Sequence, residues 1–198
     1  MKKYPTLVKK MATVLIVFLI THTAKAQMDI SYFSTAIKYK QELKLTGEQL
    51  DSLSNKNIEF ETIKKLAQRD GIKSKFNELD VKKYEAGNIM AILHPSQLKD
   101  MLFLKNSAKA AAITADNWVK IKRYGLSSSS DSVFINKFNL NYQLYLLVAA
   151  EQLNFDPRPE TEGYRRLLEN NKPYILAKLD EIEGRKITEF DIRRSFTW

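Results

Sequence analysis

Cysteine is absent from all 198 residues, which excludes a disulfide framework, thiol catalysis and thiolate metal ligation. Glycine and proline are scarce, with 6 and 5 copies, too few to punctuate a sandwich or barrel of many short strands. Histidine occurs twice, as His22 and His94. A metal sensor normally draws on several imidazoles or thiols, and one histidine beyond the amino-terminal segment does not supply them. No GxSxG elbow, phosphate-binding GxxxxGK[ST] loop, GxGxxG turn or HExxH helix is written anywhere in the chain. Acidic residues such as Glu59 and Glu61, or Asp180, Glu181 and Glu183, sit among basic neighbours and read as surface pairs. The sequence therefore points away from an enzyme and calls for no cofactor or metal.

What is present begins with a distinct leader. Lys2, Lys3, Lys9 and Lys10 form a cationic start, residues 11–20 (MATVLIVFLI) are apolar, and Ala24 and Ala26 flank Lys25 as a small-residue cleavage site. Ten apolar residues fall short of the roughly 20 that span a bilayer. Residues 1–26 are expected to be a signal peptide cleaved after Ala26, and the protein periplasmic or secreted, with no transmembrane span after removal of the signal. Five of the 32 Lys and Arg precede Gln27 and no acidic residue does, so the mature chain carries 27 basic against 23 acidic residues, or +4 instead of +9. Such mild basicity makes no electrostatic case for nucleic acid.

Hydrophobic residues make up 44% of the chain, enough for a core, and their spacing is helical. Residues 45–50 (LTGEQL) form a complete helix start. Thr46 is the N-cap, Gln49 at N3 reaches back to it, and Leu45 and Leu50 occupy the hydrophobic-staple positions. Residues 93–98 (LHPSQL) repeat the pattern with Leu93 and Gln97, and with Pro95 at the favoured N1 position. Residues 113–118 (ITADNW) and 187–192 (ITEFDI) fit the same template, which predicts further helix starts at Thr114 and Thr188. Asp70-Gly71 marks a stop, DPRP (156–159) a turn, Pro173 a kink or split, and Gly184 a helix end.

The expected fold is all-α, with about six to seven helices. A front helical region (28–126) is followed by a Ser-rich linker (127–131, SSSSD) and a C-terminal helical region (132–198). The stretch 134–155 is the most apolar. Phe134, Phe138, Tyr142, Tyr145, Ala149 and Leu153 form one stripe, and Leu140, Leu144, Leu147 and Val148 another. A helix apolar on two sides is expected to lie centrally or to press against a partner, and central burial is the reading adopted.

The two helix starts, Leu45-Thr46-Gly47-Glu48-Gln49 and Leu93-His94-Pro95-Ser96-Gln97, resemble the LTxxQ motifs of the Spy/CpxP family of small exported helical proteins. His94 stands where the second motif has Thr, and the part after Ser127 lies outside the family pattern. The resemblance implies a helical hairpin or cradle in the front part, a homodimer, and ATP-independent binding of unfolded or envelope proteins. It also implies a surface of basic and apolar side chains, for which Lys99, Met101, Leu104, Lys105, Lys109, Trp118, Lys120, Lys122 and Arg123 are the candidates. An alternative of another class is a structural or regulatory partner of a single envelope protein, such as a stress-sensor accessory, docking through 134–155.

Overall fold

The computed structural model describes residues 31–70, 78–127 and 132–195, with side chains described to Gly184 in the last helix. Among the described residues the fold is all-α: seven helices and no strand. These are α1 (Tyr32–Lys38), α2 (Gly47–Asp70), α3 (Glu78–Ile92), α4 (Pro95–Arg123), α5 (Ser132–Gln152), α6 (Pro159–Asn170) and α7 (Tyr174–Ser195). None is long and apolar enough to cross a membrane. The expected signal peptide and most of the Ser-rich linker lie outside the described residues.

The backbone breaks explain where helices begin. After α1 the chain turns through Lys44, whose φ of 51° lies in the left-handed region that ends helices, and α2 starts immediately afterwards. Pro95 cannot continue α3 but is suited to the first position of α4. Arg158 is the N-cap of α6 with Pro159 at its start, and Pro173 separates α6 from α7. Two expected starts are absent. α4 runs unbroken through Thr114 for 29 residues, about 43 Å. α7 runs through Gly184 and Thr188. Neither site has a proline or left-handed residue before it. Helix-forming alanines (110–112) carry α4 forward, and one glycine costs only about 1 kcal/mol, too little to end α7.

The hydrophobic interior has two centres, and α4 and α5 connect them. The larger gathers α1, α2, α3, the first half of α4 and the second half of α5, around the fully enclosed Phe33, Leu53, Ile89 and Met101. The smaller joins the end of α4 to α7 through Ile121, Leu176 and Leu179, with Trp118, Ile135 and Tyr142 against them. α4 and α5 run antiparallel and form the most extensive helix pair. Both centres therefore draw on helices from either side of the Ser-rich segment.

The expected central burial of α5 holds on one side of the helix only. Val148 and Ala149 are buried, yet Phe134 is 75% and Phe138 53% exposed. The side turned against the rest of the protein there carries Asn139, which is fully enclosed.

Candidate functional site

The repeated helix starts lie against each other. The Thr46 N–H donates to Gln49 Oε1 at 3.1 Å and the Gln49 N–H to Thr46 Oγ1 at 3.2 Å, a reciprocal capping box. At the second start the His94 N–H donates to Gln97 Oε1 at 2.9 Å. The two glutamine amides then pair, Gln49 Nε2 donating to Gln97 Oε1 at 2.9 Å and Gln97 Nε2 to Gln49 Oε1 at 3.2 Å. Each also donates across to the chain entering the other start, Gln49 to Ile92 O at 2.9 Å and Gln97 to Leu43 O at 3.1 Å. Leu93 is buried, Leu45 half-buried, and Pro95 exposed beside them. The clasp fixes where α2 and α4 begin relative to one another. Its role is positional, because every amide group in it is occupied.

A second polar network holds α1. Glu85 on α3 is buried, and its carboxylate accepts the Tyr32 N–H. Burial drives the Glu85 carboxyl up to about 7, against the opposing pull of that N–H and of Lys105 and Lys64. Lys105 lies 4.0 Å from the Tyr32 ring centre and pairs with Glu151 at 3.1 Å. Asn154 donates to the Tyr32 hydroxyl at 3.2 Å, and Phe155 meets the same ring edge-on at 4.8 Å. Burial, followed by the Glu151 charge, keeps the Tyr32 phenol protonated well beyond its ordinary range.

Beside these supports opens a cleft of about 700 Å³. Met90 of α3 and Leu93 just past its end, Leu98 and Phe103 of α4, Tyr145 and Val148 of α5, and Tyr164 of α6 supply its apolar walls. Phe103 and Tyr145 pack edge-to-face at 5.2 Å. The polar lining is Lys99, Gln152 and Asp156. Asp156 is engaged: Arg158 donates to it through Nε at 2.7 Å and Nη2 at 2.8 Å, and Thr161 at 3.0 Å. The guanidinium is the main cause that holds this carboxyl down at about 2.

From the cleft an aromatic stripe leads along the outside of α5. Tyr145, Phe138 and Phe134 are separated by seven and four residues, so they share one face over about 16 Å. They are 45%, 53% and 75% exposed, and Phe134 and Phe138 stack in parallel at 6.3 Å.

The candidate binding residues on α4 do not form one surface. Met101 is fully enclosed in the larger core and offers no apolar face to a client, while Leu104 is half-buried and packs against that core. Lys105 is tied to Glu151 and Tyr32. Lys120 is tied to Asp116 and Glu183, while Trp118 packs on the smaller core beneath Lys122. Lys109 and Arg123 are exposed, and Lys99 lies on the cleft about 36 Å along the helix from Arg123. Sequence reasoning missed Phe103 and Tyr164 as cleft walls. No periodicity marks them, because the cleft is assembled from four different helices, its lining spread from Met90 to Tyr164.

Among the described residues no group of three or more His, Asp or Glu is placed to hold a metal. The chain matches no protein-family model, no curated protein and no solved structure.

Proposed function

We propose that this is an exported, non-enzymatic protein that binds unfolded polypeptides without ATP, in the manner of the Spy/CpxP chaperones that its helix starts resemble. The observation that carries the reading is the exposed aromatic stripe of Phe134, Phe138 and Tyr145. A stacked phenylalanine pair held in water gives up about 25 cal/mol for each Å² left uncovered, and contiguous exposed apolar surface marks a place where another molecule sits. An extended segment of about five residues covers 16 Å, so a short stretch of client matches the stripe. Lys137, exposed on the same helix, keeps the surroundings soluble and attractive to acidic segments.

The test is aggregation of a chemically unfolded client after dilution into buffer without nucleotide. The chain beginning at Gln27 should suppress it at a near-stoichiometric ratio; no suppression with any of several clients would remove the proposal.

The second reading, a dedicated partner of one envelope protein, is favoured by the confinement of the stacked Phe134–Phe138 pair to one end of α5. A single stoichiometric protein recovered from envelope extract would favour it over many weak clients.

A further inference from the structure

We propose that the cleft between α3, α4, α5 and α6 binds a free long-chain carboxylate, with the alkyl chain between the aromatic walls and the head group at Lys99. The reading goes beyond polypeptide binding and does not depend on it. Three observations carry it. The volume, about 700 Å³, lies within the range of roughly 300–1,000 Å³ typical of small-molecule sites. The walls contributed by Met90, Leu93, Leu98, Phe103, Val148 and Tyr164 are hydrocarbon, sulfur and ring surface, suited to an alkyl chain.

The third observation is the charge balance. Asp156 is neutralised by the two-point contact of Arg158, whereas Lys99 makes no ion pair among the described residues. The next lysine along α4, Lys105, nearly two turns further on, is already committed to Glu151. An apolar cleft with one uncompensated cation at its exposed rim complements an apolar ligand with one negative end. A polyanion would find no second free cation on the lining, and a cationic amphiphile would meet Lys99 with no free acid to offset it.

The experiment uses the chain from Gln27 and a long-chain conjugated polyene carboxylate whose fluorescence rises in apolar surroundings, with the alcohol of the same chain as control. The carboxylate should saturate, and Lys99→Glu should weaken it about tenfold or more, the loss expected for a charge-assisted contact. The same variant should leave the alcohol unchanged, and Met90→Asp, at an exposed wall position, should weaken both probes. Absence of saturation, equal affinity for carboxylate and alcohol, or indifference to either substitution would overturn the proposal. Circular dichroism checks that both surface variants keep their helices.

Discussion

Removing one glutamine from the clasp should cost more than an ordinary surface hydrogen bond, and removing both should cost less than the separate losses combined. Gln97 serves His94 N–H, Leu43 O and both polar atoms of the Gln49 amide. The His94 N–H is exposed and can turn to water, but Leu43 O and the Gln49 amide are partly shielded. At about 0.5–1.5 kcal/mol for each shielded bond, Gln97→Ala should lower stability by about 2 kcal/mol. Gln49→Ala should do much the same, since it loses Thr46 N–H, Ile92 O and the same paired amide. Because the paired amide is counted in both, the double variant should lose about 3 kcal/mol, a coupling of about 1 kcal/mol. Urea unfolding followed by circular dichroism reads this directly: each single variant should move the midpoint down by about 1 M at a typical slope. Purely additive losses, or single losses under about 0.5 kcal/mol, would refute the reciprocal pairing.

Other expectations test the buried acid, the buried amide and the Tyr32 anchor. The folded chain holds the Glu85 proton up to about 7 and the unfolded chain releases it near 4.5, so this group's stabilisation is complete below about pH 4.5 and is lost as pH rises through 7. At about 1.4 kcal/mol per pH unit the loss amounts to about 3 kcal/mol, and Glu85→Gln should flatten that slope and raise stability at pH 8, as thermal or urea unfolding across pH would show. Asn139 is fully enclosed with neither amide atom hydrogen-bonded to protein, so Asn139→Leu should stabilise by about 1–3 kcal/mol in urea unfolding. Tyr32→Phe keeps the ring beneath Lys105 and against Phe155 but removes the bond to Asn154, and should cost about 1 kcal/mol by the same measurement.

Much of the helical framework can be read from local chemistry. Thr46 and Gln49 announce a helix start, and so do Pro95 and Gln97, each directly after a backbone interruption: Lys44 in left-handed geometry in one case, the proline itself in the other. The same letters at Thr114 and Thr188 start nothing, because a capping box competes with helix continuation and wins only where continuation is already blocked. That Gln49 and Gln97 meet depends on α1, α2 and α3 folding back together, which no local pattern encodes.

The binding surface is less legible for a geometric reason. Neighbouring residues on a helix point about 100° apart, so the closeness of Met101, Leu104 and Lys105 in sequence hides the fact that all three turn toward the protein interior or its paired acids. On α5 both stripes are apolar, so periodicity gives no preference for the buried side. Packing against α4 decided it, leaving Phe134 and Phe138 outward and Asn139 inward. The cleft required four helices to converge and carried no signal of its own.

The most direct measurement is a fluorescence-anisotropy titration of a labelled, permanently unfolded client against the chain from Gln27 and its Phe134→Ser/Phe138→Ser variant, with no nucleotide present. The unaltered protein should bind saturably, and the variant, its helix content unchanged because both side chains are exposed, should bind at least tenfold more weakly, the loss of about 1.4 kcal/mol expected for uncovering a stacked pair. Equal binding by the two proteins, or none by either, would contradict the assignment of the α5 aromatic face to polypeptide capture.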